Sequence, residues 1–327
     1  MSFDSAQTDV NNTFENLETA PKYFKKTINS TQLESARFIL ALSITLLPLL
    51  GVLLAIYFLF EGHSIDIVEI GLLFGMSILT TTGITIGFHR YCAHHSFETT
   101  TPIKFLLLIL GSMATQGPMI YWVSVHRRHH ENSDQNDDPH SPHLECEGKL
   151  ALLRGLWYAH IGWMFKHKIP NSAYYASDLM RDKLISKLNQ LYFLWIFLSL
   201  AIPTILGGAL KGSFEGAFYG FLWGGVVRVF VVQHITFSVN SFAHVFGNRM
   251  FASQDSSKNN FVLAIPTLGE SWHNNHHTFP SSAIFGLKWW QIDISGWIIF
   301  GLEKVGLAWN VKYPTTRMIE AKLSPKV

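Results

Sequence analysis

Four long apolar runs set the plan of this chain. Phe38 to Phe60 carries no charge, and Ile65 to Phe88 follows after the short polar link Glu61-Gly62-His63-Ser64. Leu191 to Leu210 and Gly216 to Phe237 form a second pair, separated by little more than Lys211-Gly212. Each run matches the roughly 20 residues that a helix needs to cross the hydrocarbon of a bilayer. The pattern predicts an all-α integral membrane protein. Its four transmembrane helices, at 38–60, 65–88, 191–210 and 216–237, make two hairpins whose short turns share one side.

The longer polar segments then share the other side. Residues 1–36 read as a polar arm, 37–312 as the membrane domain and 313–327 as a tail. The stretch 102–124 is apolar but broken by Gly111, Gly117 and Pro118. It reads as a helix at the interface or packed under the bundle, because a fifth span would put His89 and His126 on opposite sides of the membrane. Beyond Asn240 the chain is expected to form a cap. Trp289-Trp290 and Ile294 to Leu302, interrupted by Asp293, suit an interfacial amphipathic helix.

Composition agrees with a membrane protein. The 327 residues are 48% hydrophobic and 15% charged, against ~25% charged in soluble domains. A net charge of +2 argues for neither nucleic acid nor an acidic partner. Cys92 and Cys146 provide no disulfide framework and no CxxC motif. The N-terminus lacks a basic segment followed at once by an apolar run, so the first apolar run is expected to stay as a span. Lys22, Lys25, Lys26, Arg90, Arg127, Arg128, Arg154, Lys166, Lys168 and Lys183 crowd one side, whereas Lys211 stands alone in a turn on the other. The positive-inside rule then places both termini and the cap in the cytosol. Arg228, inside the last span, is costly there and is expected to face the interior with a partner.

The chemistry lies in histidine. His89 and His94 follow the second run, His126-Arg127-Arg128-His129-His130 opens the polar segment, and His273, His276 and His277 lie in Gly269-Glu270-Ser271-Trp272-His273-Asn274-Asn275-His276-His277-Thr278-Phe279. Spacings of three and four put imidazoles on one helix face. Eight clustered imidazoles suit two metal ions better than one. The absence of HExxH removes the zinc-protease reading, and the absence of cysteine from the clusters disfavours structural zinc and iron–sulfur sites. What remains is a dimetal centre, with iron or copper favoured by its nitrogen ligands. His63, His143 and His167 stand apart and read as structural.

HRYCAH, HRRHH and GESWHNNHHTF resemble, in order and spacing, the three histidine boxes of the membrane fatty-acid desaturases of the stearoyl-CoA type. Gly83-Ile84-Thr85, Asp138-Pro139-His140 and Asn240-Ser241-Phe242-Ala243-His244 are similar in their flanks. The resemblance spans about residues 36–312. It implies four membrane helices under a cytosolic helical cap that holds a di-iron site. It implies ligands at His89, His94, His126, His129, His130, His244, His273, His276 and His277, with Asn240 reaching one iron through a water. Asp134, Asp138, Glu270 and Asn275 are candidates to orient those imidazoles. Trp163 resembles a family position near the substrate channel. His95 stands where many relatives have arginine, and Ile284-Phe285 stand where bacterial relatives often have arginine and histidine, which removes a basic contact to an anionic carrier or head group.

The implied activity is oxygen-dependent desaturation of a fatty acyl chain, with position nine as the candidate position, two Fe ions and O2 as co-substrate. The carrier is left open between CoA, acyl carrier protein and lipid. No His-Pro-Gly-Gly or CxxC motif supplies electrons, so a separate donor of ferredoxin, rubredoxin or cytochrome b5 type is expected. A hydroxylase or acetylenase on the same scaffold is the alternative, although hydroxylases of the wider group favour HxxxH as the first box. A non-catalytic metal-binding membrane protein is a distant third. The flanks look bacterial, which suggests an inner membrane.

Overall fold

The computed structural model describes residues 25–144 and 148–323. Lys22, Cys146 and most of the expected N-terminal arm lie outside the described residues. Four helices are long and apolar enough to span a membrane: α1 (Thr31–Phe60), α2 (Ile67–Ala93), α6 (Tyr192–Lys211) and α7 (Phe214–His244). Between them lie α3 (Thr101–Ser112), α4 (Met119–Asn132) and the segmented helix α5 (151–166). The cap adds α8 (His273–Thr278) and α9 (Ile294–Lys304). Two short antiparallel ladders, Thr27–Ile28 with Ile169–Pro170 and Glu98–Thr99 with Ala308–Trp309, pin the cap's edges.

Three spans are longer than the apolar runs, for local reasons. α1 begins at Thr31, seven residues before Phe38, because Ser30 caps it by accepting the Leu33 N–H. Residues 31–36 therefore belong to the helix rather than to a polar arm. α2 opens with a capping box between Asp66 and Glu69 and runs past Phe88 through a π-helical stretch, Gly83–Ala93. α7 passes through a second π stretch, Gly220–Val227, and ends in a 3₁₀ turn at Phe242–His244. The extensions matter, because they carry His89, Asn240 and His244 out of the bundle on rigid helix.

The 102–124 stretch divides in two. α3 has 12 residues, about 18 Å of helix, too short for the ~30 Å hydrocarbon layer. Gly117, at φ +99°, turns the chain into α4. α3 packs so closely on α2 that a Cβ on Gly83 would collide with the Gly111 backbone.

Small residues close the second hairpin, and one polar knot joins it to the first. A Cβ on Gly207 of α6 would strike the backbone of Gly216 and Gly220 in α7, the small-residue packing that lets membrane helices approach. Gly207→Leu is therefore expected to destabilise the bundle by about 1–3 kcal/mol through overpacking. The drop should appear as a lower detergent-solubilised melting temperature, and an unchanged one would refute the contact. At the turn end, Lys211 reaches Asp66 and Glu69, both at 2.9 Å. His63 pairs with Glu69 at 2.9 Å and stacks on Tyr219, as a structural histidine would.

Arg228 faces the interior, fully buried. Its partners are not a carboxylate, however. It donates to the carbonyls of Met113, Ser199 and Gly224 and to the Ser199 hydroxyl. Backbone acceptors thus satisfy this buried cation and tie α7 to α6 and α3. Outside the bundle, α9 lies in the cap with Trp297 and Phe300 exposed. Trp289 is 95% exposed beside it, an arrangement suited to a membrane interface.

Candidate metal centre

Nine histidines converge above the bundle in two groups. His89, His94, His126, His130 and His276 make one, and His129, His244, His273 and His277 the other. Within each group one nitrogen per ring lies within 4.8 Å of all the rest. α2 contributes His89 and, at its C-cap, His94. α4 carries His126, His129 and His130, α7 ends at His244, and α8 presents His273, His276 and His277. Helical spacing sends neighbouring residues to different groups, with His129 and His130, and His276 and His277, each split between the two.

Carboxylates set the direction of four rings. The Nδ1–H of His129 donates to Asp138 (2.8 Å), that of His244 to Asp134 (3.1 Å) and that of His277 to Asp255 (2.7 Å). His89 Nδ1 meets Glu270. A proton held at Nδ1 leaves a lone pair on Nε2, and these Nε2 atoms point inward. There they face one another: His129 and His277 at 3.3 Å, His89 and His276 at 3.0 Å, His244 and His273 at 3.0 Å. His94 and His126 approach to 2.8 Å, and His276 and His130 to 2.9 Å. Where a carboxylate holds the proton at Nδ1 on both rings, as for His129 and His277, the two Nε2 lone pairs repel unless a cation lies between them. The donor set therefore fits two metal ions of the imidazole-preferring kind.

Burial favours the same state. His126, His130, His273 and His276 are all pulled well below the ordinary imidazole pKa, first by desolvation and then by neighbouring imidazoles. They stay neutral at physiological pH, as ligands must. Burial alone would push the Asp138 carboxyl up, but the His129 imidazole outweighs it and holds the acid at about 2. Asp134 and Asp255 are likewise held well below the carboxylate range, against burial, chiefly by hydrogen bonds from His244 and His277.

Not every candidate reaches a ring. Asn275 touches no imidazole; it bonds Asn259, the Phe285 carbonyl and Gln291, and so braces the loop beneath α8. Asp255, unanticipated from sequence, takes the place expected for Asn275. His140 is a second omission. It is buried against His129 and Trp163, and its Nδ1 has no hydrogen-bond partner among the described residues. His95 is exposed and pairs with Asp178 beside Arg127, away from the rings. Phe285 is fully buried over the Arg90 guanidinium at 3.9 Å and against His276. His167 bonds Tyr121 and the Trp163 carbonyl, and His143 the His244 carbonyl.

Two adjoining cavities, a first and a second lobe, lie beside the rings. One lobe is lined by Leu40, Ala41, Ile44, Tyr121, Trp163 and Phe237, and the other by Thr81, Ile84, Thr85, Ile235, Val239 and Thr267. The lobes share Trp122, His126, Thr236 and Asn240. Gln116 donates to the Thr236 hydroxyl at 2.8 Å at this junction. Asn240 therefore faces the cavity where it passes the histidines, and Trp163 lines the first lobe.

Comparison with known proteins gives the arrangement a family. The fatty acid desaturase profile matches residues 65–300. The chain is 53% identical over 299 residues to a hex-5-enoyl-[acyl-carrier protein] acetylenase of Moorena producens, covering 91% of this chain and 93% of that one. It is 37% identical to the sn-1 stearoyl-lipid 9-desaturase of Anabaena variabilis, over 70% of this chain and 78% of the relative. It is also 37% identical to the acyl-CoA C20 Delta5-desaturase of Anemone leveillei, over 71% and 70%. With four membrane-length helices, histidine groups fit for metal and these relatives, the chain belongs to the fatty acid desaturase family and is an enzyme of the oxidoreductase type.

Proposed function

We propose that the nine histidines hold two irons, one per group, with Asn240 reaching one of them through a water. The centre would remove two hydrogens from adjacent carbons of an acyl chain. The opposed Nε2 lone pairs carry this reading, above all His129 against His277, where a carboxylate fixes the proton at Nδ1 on both sides. Bound iron supplies oxygen binding and the electron transfers that no side chain here can perform.

The protein's own part is placement. A methylene has no polar handle, so the chain must be held by shape. The shared walls at Trp122 and Thr236 steer an acyl chain past His126 and Asn240. Overall, one –CH2–CH2– unit, dioxygen, two electrons and two protons become –CH=CH– and two waters. The electrons come from a separate ferredoxin, rubredoxin or cytochrome b5 type of donor. The cap, which carries the basic residues counted above, faces the cytosol.

We assign an acyl thioester of a carrier protein as substrate, on the strength of the 53% identical relative whose name specifies one. The same relative supports a second reading, in which the substrate already has a double bond and leaves as an alkyne. The relatives' names give positions five and nine for their own reactions. Position is therefore a property of the cavity rather than of the histidine groups. The test is incubation of the iron-loaded chain with reductant, an electron carrier and acyl carrier protein loaded with saturated or terminally unsaturated chains, read by gas chromatography–mass spectrometry. A new alkene or alkyne that is oxygen-dependent and absent in His273→Ala supports the reading. A hydroxylated product, or a chain without iron, overturns it.

A further inference from the structure

The two histidine groups have unequal surroundings. Three carboxylates serve the four-histidine group: Asp134 on His244, Asp138 on His129 and Asp255 on His277. None of the three has a lysine or arginine partner among the described residues. Their other oxygens accept from neutral donors. Asp134 takes the Ser141 hydroxyl and the Ser256 N–H, Asp138 the backbone N–H groups of Asp134 and His140, and Asp255 the Ser253 hydroxyl and the Ser257 N–H. All three are at most 11% exposed, so their charges are weakly screened.

The five-histidine group has one carboxylate, Glu270 on His89. That carboxylate is shared with the fully buried Arg90, which donates to it from Nε and Nη2. Arg90 also pairs with the buried Asp293, so two carboxylates and one guanidinium leave one net negative charge behind this group, against three behind the other. In addition, the Nδ1 of His276 has no hydrogen-bond partner among the described residues, so this ring lacks the donation that makes an imidazole a stronger ligand. The same is true of His273 in the other group, so the carboxylate count decides the balance.

We propose that Asp134, Asp138 and Asp255 act as positioning residues that make the four-histidine iron the more readily oxidised of the two. This rests on the di-iron reading above. Uncompensated negative charge behind an imidazole raises its donor strength and favours the higher metal charge. When the doubly reduced centre gives one electron to an external mediator, the ferric ion forms at the four-histidine position, and the five-histidine iron stays ferrous until the second electron leaves. The hydrogen-bonded loop 253–257 is then part of the redox apparatus, although it carries no ligand.

The experiment is a mediator-coupled potentiometric titration of the ⁵⁷Fe-loaded full chain in detergent, followed by Mössbauer spectroscopy. Two separate one-electron steps are expected in the parent protein. Asp255→Asn and Asp138→Asn should each move the first step to higher potential and leave the second near its place. Glu270→Gln should move the second step and less far. A chelator competition gives an independent readout: Asp255→Asn should weaken one of the two irons about 10–100-fold, and Asp255→Glu should restore part of it. Simultaneous oxidation of both irons in the parent, or an Asp255→Asn variant with an unchanged first step, overturns the proposal. Failure to bind two irons at all sinks the di-iron reading instead, and this inference with it.

Discussion

Replacing His276 by alanine is expected to remove one iron and abolish the product. Its Nε2 faces both His89 (3.0 Å) and His130 (2.9 Å), at the middle of the five-histidine group. Without it, four rings of that group remain, but the pairwise contacts that enclose the ion lose their common member. The effect should exceed the ~10–100-fold loss of affinity typical of an outer partner. Iron per chain should then fall from about two to about one. The substitution is clean, because His276 Nδ1 has no hydrogen-bond partner among the described residues and no carboxylate there is orphaned. The four-histidine group should keep its metal, and the chain should elute as the parent does. Added imidazole should restore part of the iron and part of the product. Elemental analysis beside product analysis is the check; a variant with two irons and full activity would remove His276 from the centre.

This clean outcome follows from what the sequence displays and what it hides. The second and third histidine boxes are visible because each is local: spacings of three and four bring rings to one helix face, and α4 and α8 keep that face. Asp134 and Asp138 are visible for the same reason, lying within ten residues of the second box. Asp255 was not visible. It reaches His277 from 22 residues away, out of a loop, Ser253-Gln254-Asp255-Ser256-Ser257, whose pattern reads as solvent-exposed turn. Asn275, by contrast, sits inside the third box, yet its position on α8 turns it away from the rings and toward Asn259.

The spans show the same division. Hydropathy locates all four, but not the π-helical stretches in α2 and α7, which have no sequence signature and which set the facing of His89 and Asn240. Arg228 shows that burial was predictable and its partners were not. Carbonyl oxygens accept its protons, and every residue has a carbonyl. The cavity was unreadable for a related reason. Its walls come from α1, α2, α4, α5 and α7, and no short segment encodes their convergence.

Arg90→Leu is the other large expected effect, and it acts on folding. Arg90 has no exposed surface. It donates to Asp293 through both terminal nitrogens (2.8 and 3.2 Å), to Glu270 (3.1 and 3.3 Å) and to the Ala283 carbonyl (2.8 Å). Asp293 in turn caps α9 through the Gly296 N–H and accepts the Phe285 N–H. Leucine would leave two buried carboxylates facing each other across an apolar side chain. Breaking one side of such a network costs about 3–5 kcal/mol, a large share of an ordinary domain's net stability. The chain should lose its monodisperse peak in detergent, with α9 and the third box released together, since both hang on Asp293 and Glu270. Arg90→Lys keeps the charge but not the planar fork that spans two acids, so partial recovery is expected. Arg90→Leu combined with Asp293→Asn removes one orphaned charge and should be milder than Arg90→Leu alone, a non-additivity that contacting residues show. A single variant as stable as the parent, or a double variant worse by the sum of its parts, would mean that the guanidinium only fills space and that Glu270 stands free to act on His89.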